Sequence, residues 1–301
     1  MNRVGRKTWE DWIIDAVIYL SLIFLVVVTL YPFLNTLAVS FNDAMDSSRG
    51  GITLWPRKFT LYNYQTLLTR SQIYHATLVS AARTVLSTVL GVFCTAMAAY
   101  IISRREFVLR RFVSFVYVLT MYIDGGLVPT YFLMRSLGLT NSFWVYVVPG
   151  LVSAFNLIVI RTYIAGLSDS YVESARIDGA GEFTIFLRII LPLCKPVLAT
   201  IALFIAVDNW NAWFDTFLYN SANAQLSTLQ YELMKVLQSA NTMSGSLLQA
   251  LSRAAAGTTN TVTPRAIRAT MTIIVSVPIV IVYPFLQRYF VHGLTLGGIK
   301  E

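Results

Sequence analysis

A short run, Asp208-Asn209-Trp210-Asn211, places a carboxylate, two amides and an indole inside a stretch that is otherwise apolar. Asp124 and Asn156 interrupt other apolar stretches in the same way, and Asp215 interrupts the same one further on. These groups suit recognition more than bond breaking. Carboxylates and amides exchange hydrogen bonds with hydroxyls, and an indole offers a flat apolar face with one polar handle. A carboxylate at the centre of a bilayer costs about 2.5–3.5 kcal/mol on insertion scales, so each should face protein or water. Two accounts stand side by side. Asp124, Asn156, Asp208, Asn209, Trp210 and Asn211 line a path for a hydroxyl-rich substrate, with Trp210 and Trp213 stacking on sugar faces, or such residues bond helix to helix. For Asp215 and Trp213, which approach an outer surface, bonding and interfacial anchoring is the preferred account. For Asn209, Trp210 and Asn211 the two are level.

Catalytic and metal chemistry find little footing. His75 and His292 are isolated, and Cys94 and Cys194 lie far apart, so no ligand cluster is formed and no metal is expected. Neither a Ser-His-Asp set nor a carboxylate pair is placed at a site. No G-x-x-x-x-G-K-[ST] phosphate loop occurs, and the glycines near Gly297 lack its spacing. The chain is therefore expected to be no enzyme and to bind no cofactor of its own.

The elements that must position the polar residues are membrane helices. Of the 301 residues, 56% are hydrophobic and only 13% charged, and mean hydropathy is +0.62. A soluble domain carries about twice that charged share. The apolar residues form six blocks near the 20 residues needed to cross a hydrocarbon core of about 30 Å. They run over Ile13–Leu37, Thr84–Ile102, Phe112–Met134, Phe143–Ile164, Val197–Tyr219 and Ile267–Phe290. The first is too long for the core of a cleaved signal peptide, about 7–15 residues. The expectation is an all-α integral membrane protein of six transmembrane helices.

The net charge of +8 sits between the blocks and not along one stripe, which argues for membrane orientation over nucleic acid. With the N-terminus inside, 13 Lys and Arg fall on the cytoplasmic side and nine outside, Arg83 uncounted. The short loop Ser103–Arg111 holds four arginines in nine residues, and short loops weigh most, so both termini are placed in the cytoplasm. The chain then divides into a tail, first helix and outer loop (1–76), a five-helix core (77–290) and a cytoplasmic tail (291–301). The core carries a cytoplasmic loop at 168–196 and an outer loop at 220–266, whose Asn241–Thr263 stretch is poor in apolar residues and is expected to be mobile. Nine basic residues outside against Asp43, Asp46 and Glu232 could steer an acidic sugar, dock an acidic protein or meet lipid headgroups.

The loop between the fourth and fifth blocks, Ser168 to Pro196, reads as two short helices around Gly179-Ala180-Gly181. Ser168, Asp169 and Ser170 are good N-cap residues for the first. The second is expected over Glu182–Leu191, with Phe183, Phe186, Leu187 and Ile190 on one face and Pro192 and Pro196 ending it. Apolar side chains on such a hairpin call for a groove in a partner or for the bilayer surface.

Glu173-Ser174-Ala175, Gly179, Ile189, Leu191 and Pro192 follow the spacing EAA, three residues, G, nine residues, I, one residue, L-P. This resembles the EAA loop of binding-protein-dependent importer permeases, departing only at Ser174, where the pattern has Ala. Gly125-Gly126-Leu127-Val128-Pro129-Thr130-Tyr131, Ser136–Leu139, Trp210-Asn211 and the Gln287–Thr295 tail are similar to maltose-type carbohydrate permeases, over roughly residues 60 to 301. Within them the chain looks most like the second permease subunit of the branch serving complex oligosaccharides, alginate-type importers included.

The resemblance implies the type I ABC importer permease fold in the bacterial inner membrane. It also implies a homologous permease partner forming a heterodimer, two ABC ATPase subunits that hold ATP and Mg, and an extracytoplasmic solute-binding protein, with membrane lipid around the spans. Glu173, Ser174, Ala175, Asp178, Gly179, Ala180, Phe183, Ile189, Leu191 and Pro192 would then form the coupling element gripped by an ATPase. Rival classes are a permease for another solute, a secondary transporter and a membrane enzyme. The halves show no convincing internal repeat, which weakens the second, and no ionisable cluster marks a span end, which weakens the third.

Overall fold

The structure, a computed structural model, describes residues 9–239 and 262–295. Most of the Asn241–Thr263 stretch, the basic residues Arg3, Arg6 and Lys7, and the end of the 291–301 tail lie outside the described residues. Contacts divide the chain into two units, residues 1–69 with 236–274 and residues 70–235 with 275–301.

In the first unit, the Trp9–Ser40 helix presents Ile14, Phe24, Leu25 and Val28 exposed along its length. An apolar surface all round a helix, as over this length, suits a lipid surrounding. The segment after it is folded, not a bare loop. Short helices form at Ala44–Ser48 and Tyr62–Leu68. Buried Asn42 organises the turn between them, donating to Asp46 Oδ2 and Ser47 Oγ at 3.0 Å and accepting from the Lys58 amide at 2.7 Å. Asn63 donates to the Ser40 and Asn42 carbonyls at 3.0 and 2.9 Å, satisfying the end of the long helix.

In the second unit, the Ser71–Ser103 helix packs against Ala154–Ala165 and Lys195–Asn211. Its buried face is built from small residues, among them Ser80, Ser87, Gly91, Thr95, Ala96 and Ala99. Small residues let helix backbones approach in a membrane, where the hydrophobic effect no longer drives them together. A methyl on Gly91 would stand 3.3 Å from Ile205 Cδ1. Leu157, Ile160, Ile164, Ile201 and Ile205 complete this core.

Among the described residues, three helices are long and apolar enough to cross a membrane: Trp9–Ser40, Ser71–Ser103 and Pro264–Pro284. Two bent pairs raise that to five. Phe143–Gly150 joins Ala154–Ala165 at 44°, and Glu182–Leu193 joins Lys195–Asn211 at 83°. The first bend falls at residues 151–153, just past Pro149-Gly150, where helical hydrogen bonding fails. Ser87 Oγ and Thr95 Oγ1 donate to the freed Tyr146 and Leu151 carbonyls at 3.3 and 3.1 Å, as irregular backbone at membrane depth requires. The block expected to be a single helix at Phe112–Met134 is two ten-residue helices, Arg110–Leu119 and Leu127–Ser136. Gly126 between them has φ +83°, which no helix accommodates, and its amide is taken by Asp124 Oδ1 at 3.2 Å.

Candidate functional site

Two places in the second unit combine polar groups with room for a partner. One is a cavity of about 1160 Å³. The helix Lys195–Asn211 supplies Asp208, Asn209 and Asn211 to its wall, Ala154–Ala165 supplies Asn156, and Ser71–Ser103 supplies Arg83. Tyr146, Phe155, Phe204, Tyr219 and Tyr283 add aromatic surface. Of the six residues expected on a substrate path, Asn156, Asp208, Asn209 and Asn211 are brought together here. Trp210 is turned away, donating Nε1–H to the Val275 carbonyl at 3.0 Å beside a separate apolar pocket. Asp124 sits in the 120–126 break, holding the Gly126 amide.

Arg83 and Asp215 dominate the cavity's electrostatics. The guanidinium, only 4% exposed, forks onto both carboxylate oxygens of Asp215, at 3.1 Å to Oδ1 and more closely to Oδ2. It also donates to Asn209 Oδ1 and to the Ala212 carbonyl, each at 3.3 Å, and lies 4.7 Å over the Tyr146 ring. That carbonyl is free because the helix breaks at Ala212-Trp213 before resuming at Phe214–Asn220. Asp215 Oδ1 in turn accepts from the Thr216 amide at 2.8 Å. Asp208 has no such partner. It is exposed to the cavity and makes no ion pair among the described residues.

The second place is the 168–196 elbow. Its first helix is Ser170–Ile177, and Gly179 follows at φ +80° with open space where a side chain would stand. The backbone conformation, not crowding, is what asks for glycine there. The second arm runs Glu182–Leu193, beyond the expected end at Leu191. Pro192 lies within it and a π turn occupies Phe186–Ile190, with the Leu191 amide bonded to the Phe186 carbonyl. Proline lacks the amide and crowds the carbonyl four residues back, and a widened turn relieves both problems. The arm stops at Cys194, and Pro196 occupies the first turn of the next helix, where its missing amide costs nothing.

The four apolar residues expected on one face are divided. Phe186 and Ile190 are buried with Val172, Ala175 and Ile185 in the core, whereas Phe183 is 60% and Leu187 38% exposed. With Tyr171 and Ile177 they form the apolar outer surface of the elbow. Glu173, Ser174, Asp178 and Gly179 are exposed beside them; Ala175 is buried and Ala180, Ile189 and Leu191 are partly buried. Arg176 ties the elbow to the preceding loop, reaching Glu106 at 2.5 Å and Glu182 at 2.8 Å. The Tyr100 hydroxyl donates to Glu182 at 2.7 Å. That bond, then Arg176, holds the Glu182 carboxyl below its usual range, and Arg176 does the same for Glu106.

Sequence reasoning left Arg83 out and set Asp215 aside as an anchor. An arginine at the edge of an apolar block was the available signal.

Residues 87–295 match the family described as binding-protein-dependent transport system inner membrane component. The chain is 32% identical to the polygalacturonan/rhamnogalacturonan transport system permease protein YtcP of Bacillus subtilis, over 97% of this chain and 99% of that one. It is 28% identical to the arabinooligosaccharides transport system permease protein AraQ of Halalkalibacterium halodurans, over 98% and 99%. A solved structure of a bacterial ABC transporter involved in the import of the acidic polysaccharide alginate contains a chain of similar fold, with a TM-score of 0.85 and 26% identity. The match covers 95% of this chain and all of that one.

Proposed function

The chain belongs to the inner membrane components of binding-protein-dependent transport systems, and from that premise we propose that it is the permease subunit of an ATP-driven oligosaccharide importer in the bacterial inner membrane. The observation that carries this is the elbow. A rigid two-armed projection, braced on the helical core and turned at Gly179, presents Tyr171, Ile177, Phe183 and Leu187 to a partner. Partner ATPase subunits hold ATP and Mg, grip that surface and drive alternating access. A homologous permease completes the pathway, and a binding protein delivers the solute from outside. The sixth span is the divided 110–136 segment, and both termini are cytoplasmic.

The cavity supports a sugar as cargo. Amides, a free carboxylate and aromatic rings are the groups that bind hydroxyl-rich rings. For an acidic sugar, this wall offers no uncommitted cation among the described residues, since Arg83 is engaged by Asp215 and Asp208 repels. A carboxylated substrate would depend on charge from the second permease. Uptake of a neutral oligosaccharide against an oligouronide, at several salt concentrations, decides between them. The coupling role is tested by Gly179→Asp in the reconstituted complex. Substrate-stimulated ATPase should collapse while the subunit is still expressed, and normal coupled transport would refute the proposal. Transport persisting without any ATPase subunit would favour a secondary transporter.

A further inference from the structure

Beside the elbow lies a polar cleft of about 320 Å³, between residues 102–110, the end of the Ala154–Ala165 helix and the Ser170–Ile177 helix. Five arginines line it against three carboxylates, Glu106, Asp169 and Glu173. Three of the arginines are engaged. Arg176 holds Glu106 and Glu182, Arg105 is 3.6 Å from Asp169, and Arg104 lies 4.9 Å over the Tyr100 ring. Arg110 and Arg161 remain, both half-buried, with no ion pair among the described residues. Two partly desolvated guanidiniums facing one cleft call for an anion with several oxygens, which their planar forks bind in pairs.

The neighbouring helix indicates what brings that anion. Arg110–Leu119 starts at the cleft and has no buried residue, with Phe112 65% and Phe115 63% exposed. In a membrane-spanning chain those rings face lipid, so the cleft opens at the depth of the headgroups. We infer that Arg110 and Arg161 bind the phosphate of an anionic lipid headgroup. This rests on the chain being a membrane protein and not on its solute. The bound lipid braces the 103–110 connection against the elbow.

Native mass spectrometry of the full chain in detergent tests this, with phosphatidylglycerol, phosphatidylcholine or inorganic phosphate added. Phosphatidylglycerol should be retained at one tight site, and Arg110→Gln or Arg161→Gln should weaken it about tenfold. Arg111→Gln removes the same charge from an exposed position outside the cleft and should leave binding unchanged. Equal retention of phosphatidylcholine, or an equal loss in Arg111→Gln, would overturn the inference. Displacement of the lipid by millimolar phosphate would overturn the lipid as the source. Should Arg161→Gln fail to fold, Arg161→Lys and Arg110→Gln carry the test, and undiminished binding in both refutes it. Recovery of the chain from the soluble fraction would instead sink the membrane reading itself.

Discussion

Replacing Asp215 by asparagine should strand the charge of Arg83 in the protein interior. Removing one partner of a buried ion pair costs about 3–5 kcal/mol. Arg83 is 4% exposed, which argues for the full penalty, but Asp215 is 24% exposed to the cavity, so water partly replaces the lost carboxylate. The substituted amide also keeps one acceptor oxygen for the guanidinium. A loss of about 2–3 kcal/mol remains, which for a chain of this size lowers Tm by on the order of 5 °C. Thermal unfolding in nanodiscs would measure it, beside Arg83→Met and the double variant Arg83→Met with Asp215→Leu. The double variant should recover much of the loss, because two apolar groups need no counter-charge, giving a coupling energy of about 2 kcal/mol. Asp208→Asn, at a carboxylate with no ion-pair partner among the described residues, should stay within about 0.5 kcal/mol of the wild type. Strictly additive single effects, or a loss at Asp215 no larger than that at Asp208, would refute the buried-pair argument.

Phe186→Ala should cost about 3–5 kcal/mol in the same unfolding assay, as a fully buried aromatic leaves a cavity. Phe183→Glu, three residues away and exposed, should leave Tm unchanged but weaken ATPase capture in a pull-down; a change in Tm and none in capture would be the wrong outcome. Gly179→Ala should cost about 1 kcal/mol through its positive φ, and Gly179→Asn less, since Asn enters that region more readily; equal stability of all three would contradict the φ argument. The carboxyls of Glu106 and Glu182 are held below their usual range, so what they contribute is present above the unfolded carboxylate pKa and is lost as pH falls through the folded one. Protection of the elbow amides, taken as hydrogen exchange relative to the intrinsic rate at each pH, should therefore fall on acidification below about pH 4.5, and Arg176→Gln should flatten that response.

The elbow was legible because its signals are local. A glycine at a left-handed turn, N-cap residues before a short helix and a fixed spacing to Leu191-Pro192 all lie close together in the chain. The division of its apolar residues was less so, because Phe183 and Leu187 stand at one edge of the apolar face and Phe186 and Ile190 at the other, and only the packed core decides which edge is covered. Trp210 was a different case. At about 100° per residue it stands about 200° around the helix from Asp208, so a wall built on Asp208, Asn209 and Asn211 had to turn the indole away. Arg83 and Asp215 are 132 positions apart, and no local pattern joins them. Nor does composition reveal that Gly126 would divide the third apolar block, since apolar content measures affinity for lipid and not continuity of the helix.

The Ser71–Ser103 helix touches both candidate places, and this constrains how one could act on the other. Near its C-terminal end Tyr100 donates to Glu182 of the elbow, and about 17 residues earlier Arg83 holds Asp215 and the Ala212 carbonyl at the cavity. At about 1.5 Å per residue these points lie roughly 26 Å apart along one uninterrupted helix. Such a helix transmits displacement without absorbing it. The yielding elements are the breaks beside it, at residues 151–153 and at Ala212-Trp213, where side chains of this same helix satisfy the loose carbonyls. A pull on the elbow would therefore load those hydrogen bonds before it strained the apolar core. The cavity would change shape at its broken helices while the packed face of Gly91, Thr95 and Ala99 moved as one body.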